Sequence, residues 1–280
     1  MYKQFVTSMS STVLDFAQLK SGMKSSWMAG DFGRIATFIT HTAEDFVRRT
    51  PIRPGCRLLD VACGTGNSAI PAAHAGASVT GVDIASNLLA QARQRATAEN
   101  LDIRFEEGDA EELPFADRSF DIVLSMFGAM FAPRPDRVAA ELLRVCHPGG
   151  QIAMANWTPV GFVGKSFQIT HKMLPGPPGL PAPVLWGDEK TVRQRFSQGA
   201  SGVNLTRRMA QFHYPFSPRE TVEFFRQYFG PTQVAFSRLD QAGQADLAAQ
   251  TESLWSEHNT ATDGTTQVEA EYLDVRVTRA

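Results

Sequence analysis

The chain has 280 residues, 43% of them hydrophobic and 20% charged, with a formal net charge of −2 at pH 7. That is enough apolar content to bury a full core as one domain with an appended cap, and the near-neutral balance argues against a broad basic surface for nucleic acid. No stretch approaches the roughly 20 consecutive apolar residues of a membrane span, no basic start leads into a secretion-type apolar core, and Cys56, Cys63 and Cys146 form no CxxC pair, so the expectation is a cytoplasmic protein without disulfides or a metal site.

Residues 1–24 are of mixed polarity, with Phe5, Val13, Leu14, Phe16 and Leu19 in a loosely helical register that reads as an arm or lid. Trp27-Met28-Ala29-Gly30-Asp31-Phe32-Gly33 is dense in aromatic and small residues and precedes a helical run over 35–49. Trp27 and Phe32 either pin that helix to the core or wall a pocket. Pro51 and Pro54-Gly55 end the run. Strands over 57–61, 78–83, 103–107, 120–125 and 151–156 then alternate with helices over 67–75, 87–100 and 135–146, the pattern of a parallel sheet covered on both faces. After Trp157 a short apolar-periodic stretch leads to a proline-dense connector over 175–183, which cannot be helix or sheet interior. A helix over 188–197, capped by Asp188, precedes a strand over 203–214. Ser217-Pro218-Arg219-Glu220 is a strong helix start, and a helix over 240–257 and a strand over 270–278 close the chain. The units are a cap or arm over 1–50, a ligand-binding core over 51–157, an insertion over 158–202, and the remainder of the same sheet over 203–280.

The organising stretch is Leu58-Leu59-Asp60-Val61-Ala62-Cys63-Gly64-Thr65-Gly66-Asn67: a buried strand, a tight loop and a helix start. Gly64 and Gly66 permit positive φ and close ligand approach, and a loop in this place is a default ligand site. Gly64-x-Gly66-x-x-Ala69, with Asp83 beyond it, also fits the relaxed dinucleotide fingerprint. A carboxylate before the first glycine would repel a pyrophosphate, however. Asp60 suits a ligand with a cationic end, such as S-adenosylmethionine, better than a nicotinamide cofactor.

Asp60-x-x-Cys63-Gly64-x-Gly66 resembles the first motif of class I S-adenosylmethionine-dependent methyltransferases. Gly81-Val82-Asp83-Ile84, then Glu107-Gly108-Asp109-Ala110-Glu111-Glu112-Leu113-Pro114-Phe115, then the strand from Phe120 with the turn Arg144-Val145-Cys146-His147-Pro148-Gly149-Gly150, are similar to the later motifs in the same order. The likeness is well marked over residues 55–157, and its general pattern is most similar to the ubiquinone and menaquinone C-methyltransferases and small-molecule O-methyltransferases. It implies a doubly wound, mostly parallel seven-stranded Rossmann-like sheet with an antiparallel final strand and a helical substrate lid at 158–202. It also implies a cofactor set of Asp60, Ala62, Gly64, Gly66, Asp83, Ile84, Asp109, Ala110 and Met126, with Trp27 covering the cofactor and S-adenosylhomocysteine as product.

Cys63 reads as a small residue in a tight loop, because nothing nearby lowers its pKa. Ser125-Met126-Phe127-Gly128-Ala129-Met130-Phe131 lacks the acid or asparagine with two prolines of nucleobase amino-methyltransferases, and its apolar character suggests a hydrophobic acceptor site. His171, His213 and Tyr214 are the candidate general bases. Methyl transfer is an in-line displacement that needs alignment at about 3 to 3.5 Å and exclusion of water, with a base only where the acceptor must lose a proton. The reading is a metal-independent methyltransferase, monomer or homodimer, acting on O, C or N of a small, partly apolar metabolite. The alternatives are a protein or RNA methyltransferase using Arg193, Arg195, Arg207 and Arg208, a non-enzymatic cofactor-binding module, or a nicotinamide-dependent oxidoreductase.

Overall fold

The computed structural model describes residues 14–280; Phe5 and Val13 of the expected arm lie outside them. Phe16–Met28 is a regular helix, α1, started by Asp15, whose carboxylate accepts the Ala17 and Gln18 amides at 3.0 and 3.1 Å. The helix expected over 35–49 is broken into α2 (Phe32–Ala36), a 3-10 turn (Thr37–Ile39) and α3 (Thr40–Arg48). The Thr37 hydroxyl bonds back to Arg34 O at 2.7 Å and that of Thr40 to Ala36 O at 3.3 Å, the back-bonding by which threonine bends a helix. Phe38 at the break packs on Tyr214, with ring centroids 4.5 Å apart.

From there the alternation is as expected: β1 (Arg57–Val61), α4 (Ala69–His74), β2 (Ser78–Asp83), α5 (Ser86–Ala98), β3 (Arg104–Glu107), β4 (Phe120–Met126), α6 (Pro135–Val145) and β5 (Cys146–Trp157). The last strand starts five residues early, because Cys146 pairs with Phe120 ahead of a bulge. The second half adds α7 (Phe162–Met173), α8 (Glu189–Arg195), β6 (Ala200–Tyr214), α9 (Pro218–Tyr228), α10 (Gly230–Ser237), α11 (Gln241–His258) and β7 (Thr266–Arg279). Ser217 and Glu220 form the expected capping box of α9, and α10 had no sequence signal beyond Pro231 in its first turn.

The seven strands lie in the order β3-β2-β1-β4-β5-β7-β6. The first five are parallel, and β7 runs antiparallel between β5 and β6. This is the expected doubly wound sheet with an inverted final strand. β1 is buried along all but its first residue, which is why Leu58, Leu59 and Val61 do not alternate with exposed polar positions and why Asp60 is a buried acid. The order reverses between β1 and β4, and the crevice beyond the strand ends at such a reversal is where open α/β sheets bind ligands.

Candidate active site

A cleft of about 1090 Å³, open mouth included, lies beyond the ends of β1, β2 and β4. Its floor carries Asp60, Ala62 and Gly64 from β1 and its loop, Asp83 and Ile84 from β2, Asp109 and Ala110 after β3, and Met126 from β4; Trp27 of α1 lies across the top. All the residues implied by the family resemblance therefore line the cleft except Gly66. Gly66 has φ +83°, and a Cβ there would lie 3.6 Å from Ala92 and Ile70, so its place is behind the loop, fitting the turn against α5 and α4.

Gly64 behaves differently. Its φ is +53°, and a Cβ built on it would meet nothing nearer than the Phe32 ring at 3.8 Å, so that methyl would occupy the cleft itself. Two non-glycine residues of the lining also hold positive φ, Ala62 at 55° and Phe127 at 57°, and such conformations concentrate at ligand sites. The β1 and β4 loops meet closely: a Cβ on Gly128 would be 2.5 Å from Ala62 O. Ser125 fastens them, donating to Val61 O at 2.8 Å and accepting the Ala129 amide at 3.1 Å.

The two floor carboxyls differ in their partners. Asp83 accepts the Gly64 amide through Oδ2 and the Ala85 amide through Oδ1, both at 2.8 Å, so it anchors the glycine loop to β2. Burial nevertheless pushes its pKa up, against the opposing effect of those amides. Asp60 is 1% exposed, and its Oδ2 has no hydrogen-bond partner among the described residues. Burial first, then the neighbouring Asp83 charge, push the Asp60 carboxyl up to about 8. Cys63 is held neutral, its thiol pushed well above the usual range by burial and by the same two acids, in keeping with a structural role.

The roof comes from parts of the chain that sequence reading left loose. Lys20, Met23 and Trp27 sit at i, i+3 and i+7 of α1 and all face the cleft, a helical spacing visible in the sequence once the helix is granted. Lys20 pairs with Asp109 and with the buried Glu111, and Lys24 with Glu107. Glu111 also accepts the Arg134 amide at 2.6 Å and its Nε at 2.7 Å. Phe32, Ile39 and Phe131 complete an apolar wall, in which the Trp27 ring makes edge contacts with Phe32, Phe131 and Phe229 at 5.8, 5.1 and 5.7 Å.

None of the three candidate bases reaches the cleft. His171 on α7 and His213 on β6 are exposed. Tyr214 is 1% exposed within an aromatic cluster that includes Phe38, Phe225 and Trp255, and burial raises its pKa, the opposite of what a base requires. Alternation along the strand turns His213 and Tyr214 to opposite faces, and neither face reaches the cleft. Nor does any residue of 158–202 line it; the insertion touches its rim through Phe167 of α7, whose ring lies 5.9 Å from that of Phe131, and through the 3-10 turn Pro183–Gly187, which packs against Ala129–Phe131.

A parallel sheet with an inverted last strand, and an acid-glycine loop at its switch point, define the class I methyltransferase architecture. The methyltransferase domain family matches residues 59–154. An uncharacterised protein of Mycobacterium tuberculosis is 38% identical over 239 residues, covering 84% of this chain and 87% of its own length. Demethylmenaquinone methyltransferase of Renibacterium salmoninarum is 44% identical over 105 residues, which are 38% of this chain and 43% of that one. Among solved structures, the YcgJ protein of Bacillus subtilis superposes with a TM-score of 0.60 at 17% identity, covering 86% of this chain and 99% of that one, a likeness of fold. The chain belongs to the class I S-adenosylmethionine-dependent methyltransferases, and S-adenosylmethionine is its cofactor. Among the described residues no helix is long and apolar enough to cross a membrane.

Proposed function

We propose that this methyltransferase acts on a small, partly apolar acceptor, methylating it at oxygen, carbon or nitrogen. The observation that carries this reading is the division of the cleft. Its acids lie on the strand-end floor, whereas the wall formed by Met23, Trp27, Phe32, Ile39 and Phe131 presents only apolar and aromatic side chains. Lys20, the one basic side chain of the lining among the described residues, is engaged by Asp109 and Glu111. A flat apolar body would be held there by ring contacts and desolvation. The relative named demethylmenaquinone methyltransferase, alike over 105 residues, is in keeping with this reading.

The residues present fit the cofactor: Asp60 offers an unpartnered buried oxygen to a cation, and Gly64 leaves open the space that a side chain would fill. Asp60 would hold the ammonium end, Asp83 the ribose hydroxyls through its remaining lone pairs, and Asp109 with Ala110 the adenine. Met126 and Trp27 would enclose the reacting centre. When bound, S-adenosylmethionine supplies the methyl group on a sulfonium, whose thioether leaves without needing a proton. The chain's own task is then to align the acceptor, exclude water and keep the glycine loop rigid through Asp83.

The macromolecule alternative loses its main support. Arg207 is paired with Glu189 and Glu271, Arg208 with the buried Asp274, and the Arg195 guanidinium lies over the Trp186 ring. Arg207 and Arg208 belong to β6, at the far edge of the sheet from β1. The deciding experiment incubates the protein with methyl-labelled S-adenosylmethionine and a fractionated extract of its source. Label in the organic-soluble fraction is expected; label in protein or RNA would overturn the small-molecule reading.

A further inference from the structure

Two carboxyls share the floor of the cleft, Asp60 at 1% and Asp83 at 7% exposure, and among the described residues no cationic side chain pairs with either. Each element packed around Asp60 has its charges committed elsewhere. From α1, Lys20 is taken by Asp109 and Glu111. From α5, Arg93 donates to Phe105 O and Arg95 to Thr65 O and Asn67 Oδ1, each at 2.7 Å. Arg34 of α2 is exposed and faces Asp31. Cys63 in the loop is neutral, and β4 contributes the uncharged Ser125 and Met126. Asp83 has two amides to stabilise its charge, whereas Asp60 keeps an oxygen without any partner. Two uncompensated buried carboxylates side by side are not stable as a pair of anions, and the one with fewer donors holds the proton.

We propose that the protein takes up its cofactor by ion exchange: free protein carries a proton on Asp60, and the ammonium group of the incoming cofactor displaces it. The inference rests on the S-adenosylmethionine site assigned above. In this step the O–H bond of the Asp60 carboxylic acid breaks, the electron pair stays on the carboxylate, and the proton passes to solvent; nothing is oxidised or reduced. The cleft is then neutral at this point before binding and holds a desolvated ion pair after it. Entry of a ligand lacking the cation would leave the proton in place. The Asp60 carboxyl sits at about 8, so near neutral pH almost every binding event releases a proton, while above that range few do.

The test is isothermal titration calorimetry of the intact protein with S-adenosylhomocysteine, which has the same ammonium group. At each pH it is run in buffers of different ionisation enthalpy, so that the slope of observed enthalpy counts protons released. The expected count is about 0.9 at pH 7 and about 0.5 at pH 8, with affinity rising close to tenfold per pH unit between 6 and 7 and flattening above 8. Adenosine, which has no ammonium group, is expected to release none. Asp60→Asn is expected to abolish both the release and the rise in affinity; the wild-type count decides the matter even if that variant does not fold. Tight binding with a proton count near zero at pH 7 would overturn the exchange and leave the cofactor site standing. An equal count with adenosine would place the proton elsewhere and overturn it too. Failure of S-adenosylhomocysteine to bind at any pH would overturn the site assignment, and the exchange with it.

Discussion

The floor of the cleft is made where successive strands end, from Asp60 to Met126, whereas its roof is made by Lys20 to Ile39 meeting Ala129 to Pro133 across the molecule. The floor consists of backbone turns, close loop contacts and acids bonded to amides; the roof consists of rings and ion pairs. A floor built in this way fits one ligand chemistry, because its geometry is fixed by the β1, β2 and β4 register. Rings in edge contact are tolerant of repacking, so the roof is where acceptor choice can vary without disturbing the sheet.

That contrast can be broken most sharply at Asp83. Replacing it by alanine removes the acceptor of two buried amides, Gly64 and Ala85, each worth about 1–3 kcal/mol when left unpaired. S-adenosylhomocysteine affinity should fall by roughly a hundredfold or more, with a lower melting temperature, since Asp83 supports the loop as well as the ligand. Unchanged affinity by calorimetry would remove the strand-end floor as the cofactor site.

Trp27→Ala tests the roof. Methyl transfer to the acceptor should drop by about tenfold or more in kcat/KM, while S-adenosylhomocysteine affinity changes by less than about threefold. Equal losses in both would make Trp27 part of the cofactor's enclosure alone. Lys20→Ala lies between the halves. It should weaken S-adenosylhomocysteine by about three- to tenfold, with a smaller difference at high salt because the Lys20–Asp109 pair is partly exposed. Titrations at two ionic strengths read this directly.

Asp60→Asn gives a pH signature in the ligand-free protein. The folded carboxyl titrates at about 8, against roughly 4 in an unfolded chain. Between those values the folded state binds the proton that the unfolded state has released, so Asp60 makes stability fall as pH rises through this window. The melting temperature of the variant, measured relative to wild type, should therefore climb from pH 5 to pH 8; a constant difference would contradict the raised carboxyl. The smallest effects belong to His171→Ala and His213→Ala, both expected within about twofold of wild-type activity because each side chain is exposed and outside the cleft.

The floor was legible because its residues are local. A strand end, a glycine turn and a following acid are written within a few positions, and positive φ at Gly64 and Gly66 leaves a residue-type signature. The three proposed bases failed for the complementary reason. His213 and Tyr214 were identified by chemistry at a strand end, but β6 lies four places from β1 in the sheet order, and nothing in its own sequence states that distance. The stretch 158–202, expected as a lid, lines no part of the cleft and touches its rim through Phe167 against Phe131 and through Pro183–Gly187 against Ala129–Phe131.

By itself, then, the sequence determined the parallel α/β core and the acid-glycine floor, because hydrophobic period, turn chemistry and strand-end acids are short-range properties, while the inverted final strand was implied only by the family resemblance. Tertiary structure alone decided that Lys20 meets Asp109 and Glu111, and that Trp27, Phe32, Phe131 and Phe229 form one wall. Apart from Trp27 against Phe32, those contacts join residues about 90 to 200 positions apart, and pairing across such separations is set by how helices pack on the finished sheet rather than by any local pattern.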